Sequence, residues 1–161
     1  MSALSLMQWD EANRLSWSYG TLADTMRRHT PVNDLPELFR RMVFHILVRN
    51  TDDHPRNHGF LFDDSGLRLS PAYDILPSVT RPGVGATFSL AMSIGSHSRE
   101  ATLENALSRA DRFGLSEDEA KTIVETLVST VRRWPDHFRS AGCSNAEIEA
   151  LTPSFHNCIL V

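Results

Sequence analysis

Asp52, Asn57 and Asp74 are the residues whose types and spacing suggest chemistry. Transfer of a phosphoryl group to a hydroxyl needs a carboxylate that orients the hydroxyl and accepts its proton. It also needs hard oxygen ligands, from carboxylates or amide carbonyls, for a Mg²⁺ ion that bridges the phosphates of ATP. In the protein-kinase arrangement the base and an Asn ligand share one loop, with four residues between them. Asp52 and Asn57 have that spacing. Asp74 follows a hairpin-like stretch, where a second metal ligand belongs. The expectation is therefore Asp52 as catalytic base, with Asn57 and Asp74 holding Mg²⁺ and, through it, the nucleotide.

Other readings of the same stretch compete. Asp52 and Asp53 can simply cap the end of the preceding helix, which leaves Asn57 and Asp74 as coincidences. Asp53 alone reads better as a structural residue that stabilises the loop. His54 and His58 lie four apart, a spacing that suggests zinc on a helix, but Pro55 between them spoils the facing geometry. His54 is expected to brace the loop by hydrogen bonding. A metal-dependent hydrolase built on Asp52, Asp53, His54 and His58 gives no role to Asn57 or Asp74. Arg56 either neutralises phosphate charge or is solvated. Ser78 and Thr80 follow Asp74 where a kinase activation segment would run, and turn residues explain them equally well.

The elements that must position this loop are legible on either side. Leu35, Leu38, Phe39, Met42, Val43, Ile46 and Leu47 recur at helical spacing and mark the core helix of the domain. Asp34 and Glu37 have the spacing of an acidic capping box with Pro36 in the first turn, and Pro55 is expected to stop the helix. An earlier helix is predicted from about Tyr19 to Arg28, behind an irregular lead-in over residues 1–17. Residues 59–62 and 67–70 flank a turn-rich centre and read as a hairpin. Residues 71–85 read as loop, and residues 87–92 as either strand or helix turn. Thr102 opens a helix predicted to run to Phe113, with Gly114 ending it. Ser116 and Glu119 form a capping box for a long helix ended by Pro135, with Ala120, Ile123, Val124, Leu127, Val128 and Val131 on its buried face. Ser144 and Glu147 repeat the box. The sum is a mainly α, single-domain chain over residues 1–161, with one small β-hairpin beside the polar loop.

Composition narrows the function classes. At 161 residues the chain can bury a core without disulfides. Cys143 and Cys158 are too few for a disulfide framework and read as reduced thiols. The net charge of −4 argues against a broad nucleic-acid or membrane surface. No signal peptide or apolar span is visible, so a cytoplasmic location is expected. Arg27-Arg28, Arg40-Arg41 and Arg132-Arg133 read as solvated helix faces, and Trp9, Trp17 and Trp134 as packing residues. The only lysine is Lys121.

The run from Asn50 through Asp52, His54 and Asn57 to Leu61, with Leu69–Pro77 after it, resembles the HipA toxin kinase family. Leu90–Gly95 extends the likeness, which covers about three quarters of the chain. The resemblance implies a kinase-like C-lobe helical bundle and transfer of the ATP γ-phosphate to a protein Ser or Thr. Asp52 then matches the base, Asn57 a Mg²⁺ ligand, and Asp74 the second metal ligand. It also implies a small helix-turn-helix antitoxin as partner and substrates such as translation factors. One kinase part is missing. The 51 residues before Asp52 hold a single glycine, Gly20, and no lysine, so the phosphate-covering loop and its Lys are absent from them. A separate amino-terminal lobe is expected to supply these, and the chain alone is expected to bind ATP weakly or not at all. The competing class is a catalytically idle module that docks an antitoxin or another protein.

Overall fold

The structure is a computed structural model that describes residues 1–31, 33–64, 66–78 and 87–158, the last three by backbone only. Residues 79–86, with Thr80 among them, lie outside the described residues. Among those described are seven α-helices and one two-stranded antiparallel sheet, the mainly α architecture with a small hairpin that the sequence predicts. No helix among them is long and apolar enough to cross a membrane.

The core is built on helix α3 (Asp34–Leu47), whose seven predicted apolar residues are all buried. Each such side chain contributes about 1.5–3 kcal/mol by leaving water. Against α3 pack α2 (Tyr19–His29), the short α4 (Leu103–Leu107) and α5 (Glu117–Val131). The Phe39 and Phe113 rings meet edge to face, 5.3 Å apart. Helices α6 (Trp134–Ser140) and α7 (Asn145–Leu151) close one end, where Trp134 stacks on Phe155 at 4.1 Å.

Two of the predicted capping boxes form, Ser116 with Glu119 and Ser144 with Glu147. The third does not. Asn33 occupies the cap position of α3 without a side-chain bond, and Asp34 instead accepts the Leu69 amide at 2.7 Å. Glu37 pairs with Arg41 at 3.0 Å. Arg41 is buried rather than solvated, and its guanidinium donates to the Ser70 carbonyl at 2.6 Å. Both departures have one cause. The hairpin lies across the start of α3, and its backbone competes successfully for these side chains.

The hairpin pairs β1 (Phe60–Asp63) with β2 (Gly66–Leu69), Phe60 opposite Leu69. The lead-in is more ordered than its weak periodicity predicts. Residues Ala3–Leu6 form helix α1, Ser2 bridges to Gly59, and the Ala3 amide donates to the His58 carbonyl at 2.7 Å. Ala3, Leu4 and Trp17 are buried. Residues 87–92 are neither strand nor helix, with only an isolated bridge between Ser89 and Glu100. The helix predicted to reach Phe113 breaks after Leu107 and resumes as a 3₁₀ turn, with Gly114 left-handed at its end (φ 70°). Helix α5 stops at Val131, and Pro135 lies in the first turn of α6, where a missing N–H costs nothing.

Candidate active site

The polar loop begins where α3 ends, and Pro55 does not cause that ending. The Asn50 amide donates to the His45 carbonyl at 2.9 Å, and the Arg49 amide to the Ile46 carbonyl at 3.4 Å. This pair of bonds is a Schellman cap, which requires a left-handed residue. Arg49 takes that conformation with φ 55°. A non-glycine there costs about 1–2 kcal/mol. Arg49 places its guanidinium 4.4 Å from the centre of the Phe88 ring, an attraction that offsets part of the cost.

Asp52 and Asp53 are adjacent, and the structure separates their environments. The Asp52 side chain is exposed, at the edge of an opening of about 290 Å³. Glu11, Arg14, Trp17, His54 and Arg56 line the same opening. Arg56 pairs with Glu11 at 2.5 Å, which holds the Glu11 carboxyl below its usual range. Arg14 lies over the Trp17 ring at 5.6 Å.

Asn57 is buried, and its amide nitrogen donates to the Asp52 carbonyl at 3.2 Å. The loop is therefore folded back on itself, with the expected base and the expected ligand joined by one hydrogen bond. With the nitrogen so engaged, the amide oxygen is the Asn57 atom suited to a hard cation. His54 braces this turn through its backbone, whose carbonyl accepts the Asn57 amide at 2.9 Å. Its ring does not serve as expected, because the buried Nδ1 has no hydrogen-bond partner among the described residues.

The segment that carries Asp74 is tied to the loop on both sides of that residue. The Tyr73 hydroxyl donates to the Arg56 carbonyl at 2.5 Å, and the Ser78 amide to the Arg49 carbonyl at 3.0 Å. Residues 73–78 are thus tied to both ends of the loop that carries Asp52 and Asn57. Ile75 and Pro77 line an apolar cleft with Phe44, Val48, Trp134 and Phe138, which anchors the segment from behind. Asp74 is exposed and left-handed, with φ 57°. Backbone held in this sparsely populated region is characteristic of functional sites. Asn57 and Asp74, the two expected ligands, both offer oxygen atoms, a chemistry that fits Mg²⁺ rather than zinc.

Asp53 is wholly buried, as the structural reading of that residue expects. Its carboxylate accepts hydrogen bonds from the Tyr19 hydroxyl and from His58 Nε2 at 2.9 Å, and His45 Nε2 lies 3.3 Å from it. Burial, reinforced by nearby His58 and Arg41, pushes His45 down to about 3. Tyr19 and His45 were invisible as site residues in the sequence. The one available signal was a histidine on the apolar stripe of α3, between Met42 and Ile46.

The family and the fold are identified by comparison with known proteins. The family described as HipA-like C-terminal domain matches residues 1–134. Among curated proteins of Sinorhizobium fredii, the one named Putative kinase Y4mE is 35% identical over 65 residues, 40% of this chain. Another, Putative kinase Y4dM, is 28% identical over 120 residues, 73% of this chain. The chain spans only 15% and 28% of the lengths of these two relatives. A chain in the solved complex of the Shewanella oneidensis MR-1 toxin–antitoxin system HipA, HipB and operator DNA has the same fold. It superposes with a TM-score of 0.66 at 20% identity, over 88% of this chain and 35% of that one.

Proposed function

Because this chain belongs to the HipA-like C-terminal domain family, we propose that it is the catalytic-loop portion of a kinase that phosphorylates a protein Ser or Thr. The observation that carries this reading is the double tie of residues 73–78 to the loop of residues 49–57. It ties the segment that carries Asp74 to the loop in which Asn57 bonds to Asp52, which supports one shared site.

In this reading the exposed Asp52 carboxylate orients the substrate hydroxyl and takes its proton as the oxygen attacks. The 290 Å³ opening over Asp52 receives the hydroxyl-bearing side chain. Asn57 and Asp74 offer the oxygens that hold Mg²⁺. When bound, that ion would neutralise charge on the ATP phosphates and hold them in line for attack. The buried Asn57 keeps its oxygen in place at little further entropic cost, because its amide nitrogen is already fixed.

The ATP-gripping parts belong to a separate lobe, in keeping with a chain that spans about a third of its solved neighbour. Leu61 and Phe62 on β1, and Leu76 beyond Asp74, are exposed apolar residues close in sequence to the site. They suit an interface with that amino-terminal lobe. An antitoxin partner is part of the same proposal, by likeness to the HipA–HipB assembly. The idle docking module remains the competing reading, and metal binding separates the two.

Mn²⁺, a paramagnetic substitute for Mg²⁺, provides the test. In nitrogen-15 spectra of the 161-residue chain, its addition is expected to broaden Asn57 and Asp74 first, and the Asn57→Ala variant to weaken that effect. Broadening confined to other acidic residues would refute the assigned ligands.

A further inference from the structure

We propose that Asp53 is a positioning residue, whose buried carboxylate is gripped by hydrogen bonds from Tyr19 and His58, with His45 packed beside it, so as to set the loop that presents Asp52 and Asn57. The role rests on the phosphotransfer reading above, while the grip itself stands on geometry alone. Four segments meet at this one carboxylate: the start of α2 through Tyr19, the end of α3 through His45, the loop through Asp53, and the approach to β1 through His58. The Tyr19 and His58 rings touch edge to face at 5.3 Å, and those of His45 and His58 at 6.0 Å. All four residues are at most 2% exposed.

The bonding pattern assigns the protons. Asn50 Nδ2 lies 2.9 Å from His45 Nδ1 and can donate to it, which leaves the proton of a neutral His45 on Nε2, facing Asp53. His58 Nε2 likewise faces Asp53, and the buried His58 Nδ1 has no hydrogen-bond partner among the described residues. The Asp53 carboxylate thus accepts from the Tyr19 hydroxyl and His58 Nε2 with His45 Nε2 close by, which offsets the cost of removing it from water.

His45, Asp53 and His58 could instead hold a metal ion, since their ligand atoms all lie within 4.8 Å of one another. That arrangement would require lone pairs on both Nε2 atoms and protons on both Nδ1 atoms. His58 would then bury an N–H with no acceptor. Orphaned donors are rarer in proteins than under-used acceptors. The direct hydrogen bonds from His58 and Tyr19 to Asp53 therefore favour the hydrogen-bonded grip.

The consequence for chemistry follows from adjacency. Asp53 is fixed from the inside, so the peptide that carries Asp52 is fixed with it. Asn57 then bonds to the carbonyl of Asp52 and inherits that position. A base misplaced by about 1 Å can cost on the order of a hundredfold in rate.

The test uses the 161-residue chain without nucleotide, so its outcome is independent of whether Asp52 is a base. Long-range proton–nitrogen spectra of the histidine rings are expected to show His45 and His58 as Nε2–H tautomers, with no stoichiometric metal by elemental analysis. In Asp53→Asn, backbone order parameters of residues 50–57 are expected to fall from about 0.85 to below about 0.6, with α5 unchanged. If that variant does not fold, Tyr19→Phe removes a single hydroxyl and gives the same readout. A stoichiometric metal ion, Nδ1–H tautomers, or a loop that stays rigid in a folded variant would each overturn the proposal. Failure of the phosphotransfer reading would show elsewhere, as undiminished kinase activity in Asp52→Asn with the grip intact.

Discussion

His45 makes stability depend on pH in a direction that follows from its burial. Its folded value of about 3 lies below the ordinary 6.5, so the unfolded chain binds the proton more readily. No stability is lost above pH 6.5. As pH falls below it, stability drops by about 1.4 kcal/mol per unit until the folded ring itself protonates near pH 3. At pH 5 the unfolded imidazole is charged by roughly thirtyfold over neutral, while the folded one is hardly charged at all, which amounts to about 2 kcal/mol. That figure depends almost entirely on the ordinary value and changes little wherever the folded one lies below 4. The perturbation is His45→Gln, which cannot titrate. Urea unfolding at pH 8 and pH 5 should show the wild-type chain losing about 2 kcal/mol more than the variant between the two. Parallel losses would refute the reasoning. They would mean that the Asp53 carboxylate, 3.3 Å from the ring, outweighs burial and lets His45 charge in the folded state.

With an amino-terminal kinase lobe supplied, Asp52→Asn should reduce phosphorylation rate by about 10²–10⁴-fold through loss of the proton acceptor. A phosphorylation assay in which Asp52→Asn retains full rate would count against Asp52 as base. Gly59→Ala should destabilise by about 1–3 kcal/mol in thermal unfolding, because the added methyl would sit 2.7 Å from Ser70 Oγ and 3.0 Å from the Tyr73 ring. The same change should move the Asp74 amide signal, since Tyr73 is one of its ties to the loop. Ser116→Ala should cost about 1 kcal/mol of unfolding free energy by removing the cap of α5, and unaltered stability would argue that the helix start is held by packing alone.

Local interactions made much of this protein legible without coordinates. The stripe from Leu35 to Leu47, and the boxes at Ser116 and Ser144, lie within a few residues of the groups they act on. Their outcome depends on helical geometry that any chain shares. The order Asp52, Asn57, hairpin, Asp74 was readable for the same reason, because spacing along a loop and across a hairpin limits where side chains can go. Tertiary structure decided the rest. Asp34 and Glu37 have the spacing of a cap, yet Leu69 and Arg41 claim them once the hairpin crosses α3. Nothing in the type of Arg49 announces a left-handed residue, and the helix stops there rather than at Pro55. Asp52 and Asp53 are the same residue type side by side, one exposed and one wholly buried. Sequence alone determined that two carboxylates stand at this turn. Which of them faces solvent was settled by Tyr19, thirty-four positions away, together with His45 and His58. A carboxylate can leave water only where enough donors converge on it, and that convergence exists only after the helices have packed.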